Sequence, residues 1–131
     1  MNKSYRKGYN FQRRVKKYLE KKGFEVIVRP RSQFPDITAY KKLEVGVDTT
    51  LTYNETERVS TIVKPFLVID VECKVNKYLN KKEKKEAEKR LEAGKCNAFF
   101  VAYRDKRQIK FYGKVKNEPA RWGEEPPSYT G

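Results

Sequence analysis

The stretch Phe66-Leu67-Val68-Ile69-Asp70-Val71-Glu72-Cys73-Lys74 opens as an apolar, β-branched run and ends in charge. It reads as a buried strand whose last residues emerge at a site. Side chains alternate along a strand, so Phe66, Val68, Asp70, Glu72 and Lys74 share one face, and Leu67, Ile69, Val71 and Cys73 share the other. An isolated Glu-x-Lys at a strand end is ordinarily a charge pair leaving the sheet for solvent. Upstream, however, Arg31-Ser32-Gln33-Phe34-Pro35-Asp36-Ile37-Thr38-Ala39 places a second carboxylate just after a proline, where a turn enters another strand.

Together, Pro35-Asp36 and Glu72-Cys73-Lys74 resemble the PD-(D/E)XK nuclease superfamily, and more closely its archaeal Holliday-junction-resolvase-like branch. The resemblance runs from about Gly8 to Arg104. It rests on the order of helix, Gly-Phe strand, Arg/Ser loop, Pro-Asp, apolar strand, Glu-x-Lys, helix and strand. It implies an α/β restriction-endonuclease-like core, a mixed central sheet flanked by helices.

The chain has 131 residues, enough for one domain with a modest core. Hydrophobic and charged residues each make up 37%, and 31 basic against 17 acidic residues give a net charge of +14. Such an excess attracts polyanions, nucleic acid first among them, whereas no helix pairs a basic face with the broad aromatic one that a membrane surface would require. No apolar run approaches a membrane span and the N-terminus lacks a signal-like segment, so a cytoplasmic, intracellular location is expected. Cys73 and Cys96 lack zinc-ligand spacing and there is no histidine, which argues against zinc. The missing histidine also removes the commonest general base, so any hydrolysis must rest on carboxylates, lysine and a hard metal.

Along the chain, residues 1–7 read as a loose basic arm. Phe11, Val15, Tyr18, Leu19 and Lys22 fall at helical spacing, predicting a helix from about Tyr9 to Lys22 that Gly23 ends. Its outer face carries Arg13 and Arg14, readable as a solvated or a phosphate-facing surface. Strands are expected over Phe24–Arg29 and Asp36–Tyr40, joined by a loop whose Arg29, Arg31 and Ser32 suit phosphate contacts. Residues 42–64 alternate around a turn near Asn54-Glu55 and read as an inserted β-hairpin. A helix over Lys81–Ala93, mostly a solvated Lys/Glu face with Leu79, Ala87 and Leu91 inward, precedes strands at Asn97–Tyr103 and Gln108–Tyr112. The expected organisation is a nuclease-like domain over residues 1–116 and an irregular tail over 117–131, anchored if at all by Trp122.

The resemblance implies a metal-dependent DNA endonuclease, acting on branched DNA as a homodimer. Asp36 and Glu72 would hold Mg²⁺ (with Mn²⁺ as a substitute), the backbone carbonyl of Cys73 would add a ligand, and Lys74 would orient water or stabilise developing charge. Asp70 reads either as a carboxylate behind the metal ligands or as the partner of a nearby cation. Resolvases of this branch carry a glutamate in the first helix, four residues after a glycine like Gly8, that contributes to the metal site. Here the position holds Gln12, which offers a neutral oxygen. A same-fold nuclease for single-stranded or nicked DNA, and a non-catalytic DNA-binding protein that keeps the fold, are the alternative readings.

Overall fold

The computed structural model describes residues 3–30 and 33–116. Its centre is β5 (Phe66–Cys73), the expected apolar strand, third in a five-stranded sheet of order β1-β2-β5-β6-β7. β1 (Glu25–Val28) and β2 (Ile37–Lys42) add antiparallel on one side. On the other side β6 (Ala98–Asp105) runs parallel to β5, and β7 (Gln108–Val115) returns antiparallel. A parallel neighbour requires a crossover, which α2 (Lys81–Glu92) supplies between β5 and β6.

Alternation in β5 builds a core on each side. Ile69 and Val71, with Leu67 and Cys73 beside them, pack beneath Phe11, Val15 and Leu19 of α1 (Lys3–Lys21). On the opposite face Val68 joins Ala87 and Leu91 of α2, with Phe99 and Val101 of β6. The face that carries Asp70 and Glu72 is therefore the α2 face. α1 begins at Lys3 rather than near Tyr9, so the expected loose arm over residues 3–7 is helical. No proline interrupts 3–21, and a helix whose apolar stripe is anchored by Phe11, Val15 and Leu19 extends outward from that anchor.

Two turns follow the sequence punctuation. Gly23 and Gly94 end their helices with φ of 93° and 73°, which a residue without Cβ adopts freely. α2 starts at Asn80, whose side chain accepts from Glu83 N while the Glu83 side chain accepts from Asn80 N, a reciprocal capping box. The hairpin expected over residues 42–64 forms β3 (Val47–Tyr53) and β4 (Glu57–Val63), which among the described residues make a separate two-stranded sheet. Its first expected strand residues, Leu43–Gly46, lie outside β3, and Leu43 N donates to Pro65 O where the arm leaves the body. Among the described residues no helix is long and apolar enough to cross a membrane. The tail and Trp122 lie outside the described residues.

Candidate active site

Strand register, more than sequence proximity, brings the two motifs together. β2 and β5 are antiparallel with Ile37 opposite Val71. Asp36 enters β2 one residue before Ile37, and Glu72 follows Val71, so the start of one strand meets the end of its neighbour. The junction is locked by two hydrogen bonds: Asp36 N donates to Glu72 Oε1 at 2.9 Å, and Cys73 N donates to Asp36 Oδ2 at 3.0 Å. Each carboxylate is thus held by the other's strand. Phe34, beside a cis Phe34–Pro35 peptide, stacks on Phe99 with ring centroids 5.4 Å apart and seats the turn on the α2-side core.

The electrostatics of this pair are unfavourable as the side chains stand. Burial, then the neighbouring Asp36 charge, pushes the Glu72 carboxyl up to about 9. Burial raises Asp36 as well, opposed in part by the Cys73 N–H. Two carboxylates in contact and shielded from water need either a proton between them or a cation.

Lys74 lies just beyond β5, and its Nζ sits 2.7 Å from Glu83 Oε2. The capping box fixes Glu83 from the other side, through its Oε1 at 3.0 Å from Asn80 N. Burial works to raise the Glu83 carboxyl, but the Lys74 ammonium and the Asn80 N–H outweigh it and the net shift is downward. Asp36, Glu72 and Glu83 line one cavity of about 320 Å³, with Gln33, Phe34 and Lys82. Glu83 was assigned from the sequence to the solvated face of α2. The Asn80-x-x-Glu83 spacing of a capping box was the available signal, because it fixes that glutamate at the first turn of a helix following the Glu-x-Lys strand.

Asp70, one pleat deeper, is fully buried and satisfied by cations. Arg90 Nε donates to Oδ2 at 2.5 Å, Thr38 Oγ1 donates to Oδ1 at 2.6 Å, and Arg29 lies 4.0 Å from Oδ1 while also donating to Thr38 Oγ1. Of the two readings of Asp70, the cation partner is the one the structure builds. Arg29, expected to contact phosphate, is half-buried beside this carboxylate. Arg13 and Arg14 stay exposed on α1; Arg13 lies over the Tyr9 ring, and Arg14 donates to Arg107 O at 2.8 Å. Arg31 and Ser32 lie outside the described residues.

Gln12 lines a different hollow, with Tyr9, Arg13, Lys16 and Val28. Val28 pairs with Ile37, so this hollow borders the end of the sheet where Asp36 stands. Among the described residues no group of three or more Asp, Glu, His or Cys side chains is arranged to enclose a metal ion. The donors that do converge, two carboxylates pressed together in a water-poor site, fit a hard divalent cation that takes oxygen ligands and keeps several waters. They do not suit a softer ion: the only thiol nearby, Cys73, is pushed well above its ordinary range by burial and then by the two carboxylates.

The family model of archaeal Holliday junction resolvases matches residues 3–51. The chain resembles that family over a span holding Gln12 and Asp36 but not Glu72, Cys73 or Lys74. The remaining site residues join Asp36 through the β2–β5 register. The mixed sheet with a helix on each face is consistent with the restriction-endonuclease-like fold of these resolvases. No curated protein and no solved structure matches the chain significantly.

Proposed function

We propose that this protein is a metal-dependent endonuclease that hydrolyses phosphodiester bonds in DNA, selective for branched DNA and acting as a homodimer in the cell interior. The observation that carries the reading is the interlock of Asp36 and Glu72 at adjoining strand ends, where each carboxylate accepts from a backbone N–H of the other's strand, with Lys74 one pleat further on. A like-charged buried pair is costly for a fold and is retained where a cation is to be bound.

Asp36 and Glu72 would hold Mg²⁺, or Mn²⁺ in its place. When bound, the ion supplies Lewis-acid polarisation of a phosphoryl oxygen and a more acidic water. The chain's own residues supply the rest. Glu72 gives up its proton when the pair takes up a cation. Lys74 presents an ammonium where negative charge develops on the phosphate. Glu83 holds that ammonium from α2, and the capping box holds Glu83. Arg13 and Arg14, exposed on a chain of net charge +14, provide phosphate contacts remote from the reacting atoms.

Gln12 favours a second reading, a DNA-binding protein that keeps the fold without cutting. The first-helix carboxylate of the resembled family is an amide here, and it removes one charge from the metal site. Incubating the full chain with Mg²⁺ and a four-way junction, a linear duplex, a nicked duplex and a single strand separates the readings. The proposal expects cleavage of the junction in preference to the others, lost in Asp36→Ala and Glu72→Ala with binding retained. Cleavage mainly of nicked or single strands would change the substrate class, and tight binding without cleavage would establish the non-catalytic reading.

A further inference from the structure

The loop that joins β5 to α2, Val75-Asn76-Lys77-Tyr78-Leu79-Asn80, begins directly after Lys74. Its backbone is tied down at three places. Lys77 N donates to Lys74 O at 3.2 Å and closes a turn on the lysine of the site. The hydroxyl of the buried Tyr112 donates to Lys77 O at 2.5 Å, so β7 holds the middle of the loop. Asn80 caps α2 through its reciprocal bonds with Glu83. Within this frame Lys77 has a φ of 62°, a left-handed conformation that residues with a Cβ rarely adopt. A strained residue persists only where its surroundings hold it, and such residues gather at functional positions.

A loop held this firmly is able to bury its apolar residues, and Leu79 packs against the α2-side core. Val75 and Tyr78 do not: they are 54% and 49% exposed. Lys77 Nζ lies 5.9 Å from the Tyr78 ring centre and 5.9 Å from that of the buried Tyr103, a cation shared by the exposed ring and the core. A single exposed apolar side chain is ordinary on any surface. Here the surroundings are of one sign: residues 74–82 hold four lysines and no carboxylate, and Lys82 lines the cavity of Asp36 and Glu72. Lysines interleaved with an exposed ring are the chemistry that grips a nucleic-acid strand by its phosphates and stacks on its bases.

We infer that Tyr78 stacks on an exposed base of the DNA beside the phosphate that Lys74 meets, with Val75 completing the apolar step. Inside a continuous duplex each base face is covered by its neighbours, and only base edges reach the grooves. The Tyr78 ring therefore finds a base face only where the stack is interrupted, as at a branch point or an unpaired nucleotide. The loop detects the interruption, and Asp36, Glu72 and Lys74 stand at the backbone next to it. This role rests on the DNA partner proposed above and gives the preference for branched DNA a physical source. It needs no cutting, so it also holds for a protein that only binds.

Binding by the full chain in a chelator, where nothing is cut, tests the role on a four-way junction and on a linear duplex of the same length. Tyr78→Ala is expected to weaken junction binding about tenfold, the loss of one base–aromatic stack, and to leave duplex binding unchanged. Tyr78→Phe keeps the ring and is expected to bind both as the natural chain does; melting curves confirm that both variants fold. A second measurement needs no substitution: 2-aminopurine at the branch point is expected to lose fluorescence when the natural chain binds, and the same base within an arm is not. Equal losses on junction and duplex in Tyr78→Ala, no loss on either, or an unquenched branch-point base would each overturn the stacking role. A natural chain that binds no DNA at all would instead remove the DNA reading, and the stacking with it.

Discussion

Asp70 and Glu72 lie two residues apart on the same face of the same strand, yet they occupy opposite electrostatic worlds. Asp70 is surrounded by Arg90, Arg29 and Thr38, so its charge is fully answered by the protein. Glu72 faces Asp36, a second carboxylate, with the Lys74 ammonium nearby and Lys82 on the wall of the same cavity. One pleat separates a closed ion cluster, which ties α2 to the sheet, from a pair of carboxylates that calls for a shared proton or a cation. The partners of a buried carboxylate, rather than its depth, decide whether its charge is met.

Breaking the closed cluster is expected to have the largest effect on stability. Asp70→Ala leaves two half-buried guanidinium groups without their counter-charge and is expected to destabilise the fold by about 2–4 kcal/mol. Glu72→Ala relieves a repulsion and is expected to leave stability unchanged or higher in metal-free buffer. Urea unfolding of both variants checks the contrast, and equal losses at the two positions would erase it.

Next in size is the lysine arrangement at the open site. Lys74→Ala is expected to slow junction cleavage by about 10²–10³-fold. Glu83→Gln, which loosens the ammonium without touching substrate, is expected to cost about 10-fold or somewhat more in kcat with KM little changed. A Glu83 variant whose loss appears in KM alone would place that residue in DNA binding.

The open pair also sets a pH dependence. Glu72 has an ordinary carboxylate value of 4.5 when unfolded and about 9 in the fold, so folding takes up a proton between those limits. Its contribution to stability is present in full below about 4.5 and is lost as pH rises toward 9. Asp36, also raised, acts with the same sign. Melting temperature in a chelator is therefore expected to fall from pH 6 to pH 9, and Glu72→Gln is expected to flatten that slope. A slope unchanged by Glu72→Gln would place its origin in other groups.

The smallest effect concerns Gln12. Gln12→Glu adds a negative charge near the Asp36 end of the sheet and is expected to lower the magnesium needed for half-maximal cleavage severalfold, or to create cleavage if the natural chain is silent. Identical metal dependence in Gln12→Glu and Gln12→Ala would make it an ordinary helix position.

The sequence was informative where a physical constraint acts locally. Alternation in β5 and the glycines at 23 and 94 settle strand and helix ends within a few residues, while the spacing of Phe11, Val15 and Leu19 fixes the first helix and its buried stripe but not its start. The meeting of Pro35-Asp36 with Glu72-Cys73-Lys74 came from resemblance, because no local signal fixes the register of strands thirty residues apart. The same gap hid the partners of Asp70. Arg29 and Arg90 reach it from two other elements, and side chains long enough to serve phosphate equally serve a buried carboxylate. Glu83 was missed for a related reason: the capping box places it in the first turn of a helix rich in Lys and Glu, but only the docking of that helix turns it, with Glu86, toward the cavity of Asp36 and Glu72.

Whether the Asp36–Glu72 pair is a cation site is tested most directly by Mn²⁺ binding followed by electron paramagnetic resonance. The natural chain and Lys74→Ala are expected to bind the ion at neutral pH with release of a proton, more tightly as pH rises, while Asp36→Ala and Glu72→Gln bind it at least about tenfold more weakly. Undiminished binding in Asp36→Ala, or no binding by the natural chain with or without a junction present, would show that the pair is not a cation site.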